Sequence, residues 1–357
     1  MNKTFYIGVM SGTSLDGVDI ALCEIDAVEC KLLHYKEFPY DKSLKKEVLN
    51  AIDSPLTLQE FGELDAKLGI FFTQKIQQFL EHFSLDKKKI NAIGLHGQTL
   101  WHSPDMPHPF SLQLGNANIV VAQTGIATVN DFRSMDIANG GQGAPFAPAF
   151  HQFYYQATQT RRAVLNIGGM ANITLLKEPL LGWDSGCGNV LLDIHMQQTQ
   201  NRAYDKDGEF AKSGKLSQEL LNAMLSDEYF HKTPPKSTGR EHFNASWLSR
   251  HLAKFPEISS ADRQRTLTEL TAKSIADTLK GFEIEEIIVC GGGAKNGFLL
   301  QRIHSLTQVK ITQEPNSDAL EAMAFAWLAY KRVHKESVAL SSVTGASKNS
   351  ILGALYE

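Results

Sequence analysis

Apolar residues along the chain recur at two spacings, and the switches between them mark out the elements. Near the start, "TFYIGVM" and "VDIALCEID" read as strands joined by a short polar stretch, with "CKLLHYKEFPY" as a third. No connection between them is long enough for a crossover helix, so an antiparallel meander is expected. After "SPLTLQE", the residues Phe61, Leu64, Leu68, Phe72, Ile76, Phe79 and Phe83 recur every three or four positions, predicting a long helix with one apolar face. "INAIGLHGQ" is an apolar run ending in a Gly-rich turn, the pattern of a buried strand, and "FSLQLG" and "IATVND" read as short strands around a helical "NANIVVAQ".

A Gly- and Pro-rich stretch, "RSMDIANGGQGAPFAP", then marks a plausible junction, and a second series opens like the first. "RAVLNIGGMANITLL" reads as strand, Gly-rich turn, strand; "LGWDSGCGNVLLDIHM" reads as a strand passing through a turn into a helix. The polar connections "DKDGEFAKSG" and "HKTPPKSTGREHFN" follow, then a helix at "ADRQRTLTELTAKSIADTLKGF". "EIIVCGGGAKNGFLLQRIHSL" reads as strand, Gly-rich turn, helix, and the Ala-rich "DALEAMAFAWLAYKRV" as a helix whose small residues permit close backbone approach.

At 357 residues the chain is long for one core, so two domains are the default. It is 43% hydrophobic and 21% charged, an ordinary globular composition. A formal net charge of −4 with no basic block argues against a nucleic-acid partner, whose affinity rests on Lys and Arg. No stretch approaches the roughly 20 apolar residues of a membrane span. The opening "MNKTFYIGVMSG" carries an apolar run too short for a signal peptide. The cysteines Cys23, Cys30, Cys187 and Cys290 form no C-x-x-C pair, and a reducing cytoplasm is the simpler reading.

The candidate chemistry sits in the turns. "VMSGTSLDGVDIAL" matches neither G-x-x-x-x-G-K-[ST] nor G-x-G-x-x-G. Gly12 and Gly17 permit unusual backbone angles, and Ser11, Thr13 and Ser14 offer hydroxyl donors, so the stretch is either a phosphate cradle or a tight hairpin turn. "LNIGGMANIT" repeats the arrangement with Gly168 and Gly169, and the repetition favours phosphate: two such turns facing each other would bracket a triphosphate through backbone N–H groups. Gly291, Gly292 and Gly293 follow a buried strand and suit a nucleoside lying on bare backbone, since three glycines lose more entropy than a turn requires.

Asp184 lies at a strand end with Gly186 and Gly188 leaving room beside it; it reads as general base, Mg²⁺ ligand or helix N-cap. Cys187 sits near the start of the next helix, where the dipole could lower a thiol pKa; because it borders the site of Asp184, sensitivity to thiol-alkylating reagents is expected. His96, Gln98, Thr99 and His102 are a plausible lining for a polyhydroxy substrate; His96, His102 and His108 match no zinc spacing. Asp131 and Arg133 read as a charge pair or as an anchor for an anionic group, and Glu321 is either exposed at a helix start or aimed into a cleft.

Together "GVMSGTSLDGVDIAL", "GLHGQTLWHSP", "NDFRSMDIANGGQGAP", "LNIGGMANIT", "WDSGCGN", "KSTGREHFN", "CGGGAKN" and "EAMAFAWLA" resemble the anhydro-N-acetylmuramic acid kinase family over nearly the whole chain. The resemblance implies an α/β protein with the two-domain actin-like/sugar-kinase (ribonuclease H-like) fold and an ATP cleft between domains. Residues 1–135, completed by 335–357, would form the first domain and 136–334 the second. It implies water opening the 1,6-anhydro bridge of the sugar while ATP phosphorylates O6, giving N-acetylmuramic acid 6-phosphate in cell-wall recycling. Ser11, Gly12, Thr13, Ser14, Leu15, Asp16, Gly17, Val18 and Asp19 would hold ATP phosphates with Gly168 and Gly169, and Gly291 to Gly293 would face the nucleotide. Asp184 would be the base that activates water, and Glu321 would position substrate. Arg133 is the candidate for the sugar's lactyl carboxylate. A cytoplasmic homodimer using Mg²⁺ is also implied.

Two departures stand out. Met10 and Ser11 occupy the place where many actin-like ATPases carry an Asp, so metal binding would rely on Asp16 or Asp184 through water. Ser185 and Cys187 replace the Thr and Pro of the family's D-T-G-P-G-N pattern. Two other readings remain open on sequence: a glycosidase using Asp184 and Glu321 without ATP, and an actin-like nucleotide switch. The glycosidase leaves the Gly-rich turns without a role; the switch leaves "HGQTLWHSP" without one.

Overall fold

The computed structural model describes residues 3–12, 15–155, 160–176 and 180–357. The chain divides into two compact units, one running to Tyr154 and including Ala319–Glu357, the other spanning Tyr155–Asp318.

The first unit is built on strands β1 (Thr4–Ser11), β2 (Gly17–Ile25), β3 (Cys30–Pro39), β4 (Ile90–Leu95), β7 (Thr128–Asn130) and β13 (Ala354–Tyr356). Their order is β13-β7-β4-β1-β2-β3. β1, β2 and β3 form the expected antiparallel meander, while β4 joins β1 in parallel, with Ile7 opposite Ile93. A separate antiparallel hairpin, β5 (Gln98–Ser103) and β6 (Phe110–Leu114), follows β4. The helix Leu58–His82 begins with a capping box, Thr57 accepting from the Glu60 N–H while the Glu60 carboxylate accepts from the Thr57 N–H. Such a cap contributes about 1 kcal/mol. Its Leu64, Leu68, Phe72, Ile76 and Phe79 are buried in one core with Ile7, Val9 and Ile20 of the sheet.

The helix Leu320–Val333 lies on β1 and β4. A β-carbon at Gly8 would overlap the Ala322 carbonyl, and one at Gly94 the Phe325 carbonyl. Small residues on both sides therefore allow this approach, as the Ala-rich sequence suggested. The contact assigns the helix to the first unit, not to a second domain reaching residue 334 as the sequence suggests. Residues 136–154 also stay with the first unit: Asp136 accepts from Thr344 Oγ1 at 2.9 Å, and Phe150 and Phe153 pack on Trp327.

The second unit contains β8 (Arg162–Ile167), β9 (Met170–Leu175), β10 (Leu181–Cys187), β11 (Glu286–Cys290) and β12 (Lys310–Gln313), in the order β10-β9-β8-β11-β12. β8, β9 and β10 are antiparallel, and β11 and β12 continue in parallel. With strands numbered from each unit's own start, both sheets run 3-2-1-4-5 with only the second strand reversed; the hairpin β5–β6 and the edge strand β13 are additions to the first. The helix Ser260–Leu279 covers this sheet, burying Ala272, Ile275 and Leu279 against Leu165, Ile173 and Val289.

Candidate active site

In the first unit, the β1–β2 turn is held from beneath. Leu15 adopts φ +53 and its side chain is fully buried, as is that of Val18. Both anchor the turn in the core, so only their backbone is open to the phosphate role expected of them. Thr13 and Ser14 lie outside the described residues. Asp16 is exposed and pairs with Lys45 at 3.3 Å, and Asp19 accepts from the Tyr35 hydroxyl at 2.6 Å. A β-carbon at Gly17 would press on the Glu37 carboxylate.

Ser11 departs from its expected use as an open hydroxyl. It is 1% exposed, donates to Gln98 Oε1 at 2.6 Å and lies 2.7 Å from the Tyr40 hydroxyl. Gln98, expected in a substrate lining, is fully buried in the same trio. Thr99 is half-buried and accepts from Gln113 Nε2 at 3.3 Å. Burial consumes the Ser11 and Gln98 side chains as internal props of the turn.

A second chain of contacts carries charge. His96 Nδ1 donates to the Ser11 carbonyl at 3.2 Å, and its Nε2 accepts from Arg133 Nη2 at 2.8 Å. Burial, reinforced by the neighbouring guanidinium, pushes the imidazole pKa down to about 3, so the ring is neutral and this tautomer follows. Arg133 also donates to the Gly143 carbonyl at 2.7 Å and stacks over Phe146 at 4.9 Å. Burial lowers its pKa to about 10, with Glu321 opposing, so it stays cationic at neutral pH. The Glu321 residue is solvent-accessible, yet desolvation by surrounding protein and then Asp19 push its carboxyl above the usual range, while Arg133 pulls it down. Asp131, at φ +54, accepts from the Ser134 hydroxyl at 2.6 Å, so it caps the next turn.

In the second unit, the Gly168–Gly169 turn joins β8 to β9 and receives the start of the helix Val190–Gln200. Gly188 and Val190 donate to the Gly169 carbonyl at 2.8 and 3.1 Å, and Asn189 to that of Gly168 at 2.8 Å. Two of the three later glycines have local reasons: Gly291 adopts φ +79, and a β-carbon at Gly293 would overlap Ile167. Only Gly292 has free space, its nearest neighbour being Asn189 Nδ2 at 3.6 Å.

Asp184 lies on β10, where the register with β9 shifts between Asp184 and Gly186. Such a bulge re-aims side chains. One carboxylate oxygen accepts from Asn172 Nδ2 at 2.8 Å; the other accepts from Ser237 Oγ at 3.1 Å and the Thr238 N–H at 3.0 Å. The Asp184 N–H donates to the Lys236 carbonyl at 2.9 Å, and its carbonyl accepts from the Tyr229 hydroxyl at 2.7 Å. Asn172, Ser237, Thr238 and Tyr229 carry no signal of this role in sequence, although "KSTGREHFN" is a distinctive stretch. Ser185 is fully buried and donates to the Ala171 carbonyl at 3.1 Å.

Cys187 reverses its expectation. It is fully buried in an apolar cluster with Leu191 and Leu270, and burial pushes its thiol up to about 12, against the anticipated lowering. No group of three or more His, Cys, Asp or Glu side chains that could hold a metal occurs among the described residues. No described helix is long and apolar enough to cross a membrane.

Two sheets of one topology, each opening with a hairpin whose turn is glycine-rich, define the actin-like/sugar-kinase class. The family model described as anhydro-N-acetylmuramic acid kinase matches residues 4–357, and the chain belongs to that family. A relative of that name from Sulfurimonas denitrificans is 52% identical, over 99% of this chain and 99% of its own. One from Pasteurella multocida is 47% identical, over 99% and 96%. Among solved structures, component A of the (R)-2-hydroxyglutaryl-CoA dehydratase of Acidaminococcus fermentans superposes at TM-score 0.50 with 10% identity, over 93% of this chain and 100% of its own. At that identity the likeness concerns the fold alone.

Proposed function

We propose that the protein hydrolyses the 1,6-anhydro bond of anhydro-N-acetylmuramic acid and phosphorylates O6 at the expense of ATP, yielding N-acetylmuramic acid 6-phosphate and ADP. Family membership supports the substrate; the single observation supporting the mechanism is Asp184, a carboxylate fixed by three donors on a bulged strand. Asp184 takes a proton from water as its oxygen attacks C1. The C1–O6 bond breaks, O6 attacks the γ-phosphorus, and the bond to the β-phosphate oxygen breaks to release ADP. Such phosphoryl transfer depends on positioning and charge neutralisation.

The backbone of Ser11–Asp19, Gly168 and Gly169 takes the phosphates in this reading, and Gly292 offers the open nucleotide face. Glu321 and Arg133 serve the sugar. Mg²⁺ would neutralise phosphate charge; it needs only one or two carboxylates besides phosphates and water, and exposed Asp16 suits that outer role as Asp184 does through water. We read the protein as a cytoplasmic homodimer, a state that sedimentation would check. Incubation with ATP and the anhydro sugar is expected to give ADP and sugar phosphate in equal amounts. ADP release without sugar phosphate would overturn the kinase reading.

A further inference from the structure

We propose that Arg240 is the cation of the Gly168–Gly169 turn, where its guanidinium binds the γ-phosphoryl group of ATP and neutralises charge as that group transfers. A β-carbon built on Gly169 would lie 3.7 Å from both Nε and Nη2 of Arg240, so the guanidinium spans the face of this turn. Arg240 is exposed, and its guanidinium has no hydrogen-bond or ion-pair partner among the described residues. Its loop also fixes the base: the Lys236 carbonyl, Ser237 hydroxyl and Thr238 N–H all hold Asp184. One segment therefore links the backbone turn, a free guanidinium and the carboxylate that activates water.

An arginine suits this place because its planar fork matches phosphate oxygens and keeps its charge. An acidic group whose charge responds to it is Asp193, half-buried in the first turn of the helix Val190–Gln200 and without a side-chain hydrogen bond among the described residues. Burial pushes the Asp193 carboxyl up to about 6 and Arg240 opposes the shift. No hydrogen bond or ion pair joins Asp193 to Arg240 among the described residues, so the guanidinium remains available to an anion.

The inference rests on the reading of this turn as a phosphate site, so the test separates the two. Gly169 shows no left-handed φ, and an added methyl would meet its neighbours at ordinary contact distance, so Gly169→Ala tests phosphate approach without a fold defect. Binding of a non-hydrolysable ATP analogue and of ADP is measured by calorimetry for wild type, Gly169→Ala, Arg240→Gln and Arg240→Lys, with kcat and the KM for the sugar. Arg240→Gln is expected to weaken the triphosphate about tenfold or more, leave ADP within about threefold, and lower kcat by about 10² or more. Arg240→Lys should recover triphosphate binding better than kcat, because it restores charge without the fork. Weakened binding in Gly169→Ala with wild-type triphosphate affinity in Arg240→Gln overturns the arginine's role alone. A raised KM for sugar with unchanged triphosphate affinity assigns Arg240 to the sugar carboxylate instead. Wild-type binding in both variants overturns the phosphate reading of the turn itself.

Discussion

Replacing Asp184 with Asn separates the proposed base from its scaffold. The carboxylate accepts three hydrogen bonds, one from Asn172 and two from the loop at Ser237 and Thr238. With its oxygen turned toward Ser237 and Thr238, the new amide side chain would set its N–H donors against those of Asn172. A flip of the Asn172 amide resolves that conflict by presenting an acceptor. The hydrogen bonds thus survive in neutral form, and the cost is about 1 kcal/mol of stability from losing charge assistance. The chemistry has no such escape, because an amide takes no proton from water. General-base contributions of about 10² to 10⁴ correspond to about 3–5 kcal/mol of barrier. Turnover of Asp184→Asn, followed as ADP and sugar phosphate together, should fall by at least about 10². Nucleotide affinity by calorimetry should remain within about threefold, because the backbone groups of the turns are untouched. Turnover within about threefold of wild type in a folded variant would move the base role elsewhere. Loss of nucleotide binding in parallel would make Asp184 part of the phosphate site.

Three further outcomes are expected. Thiol titration of the native protein should proceed slowly and leave turnover unchanged, because all four cysteines are buried, with fast reaction only after denaturation; rapid loss of activity on alkylation would contradict the burial of Cys187. His96 is held neutral in the fold with its pKa lowered to about 3 from about 6.5, so its stabilisation is complete above pH 6.5 and is lost as pH falls toward 3. Between about pH 6.5 and 5 this amounts to about 2 kcal/mol, read as the difference between wild type and His96→Gln in urea unfolding, since His151, lowered to about 4, pushes the same way in both proteins. Gly8→Ala should cost more than about 3 kcal/mol or abolish soluble protein, because the new methyl would overlap the Ala322 carbonyl of the packed helix; a near-native melting temperature would refute that packing.

The elements that could be read from sequence are those whose pattern is set locally. The helix Leu58–His82 announces itself through its Phe and Leu spacing, and the meander through runs too closely spaced for any crossover. The hairpin strand Gln98–Ser103 was missed because Trp101 and His102 are exposed, which leaves no apolar alternation to detect. The place of helix Leu320–Val333 was also hidden, since it depends on glycines more than 200 positions away. Asp184 was visible because glycines flank it, but its donors arrive from 12 and 53–54 positions along the chain.

Ser11 shows most directly how burial changes the meaning of a residue. As sequence, a serine beside Gly12 reads as a hydroxyl offered to phosphate. In the fold it is 1% exposed and enclosed by Tyr40 and Gln98. An Asp in that position would bring a charge into a site whose nearest groups are a phenol and an amide oxygen, with no cation to balance it among its hydrogen-bond partners. Burying an unpaired carboxylate costs several kcal/mol, and the group would protonate instead of holding a metal. The serine therefore fits the neutral trio, and the trio explains how this turn can lack the Asp of the wider superfamily without being left unsupported. In the proposed reading, a metal accompanying the nucleotide at this turn would be reached from its exposed side, where Asp16 is solvent-facing and pairs with Lys45 at 3.3 Å.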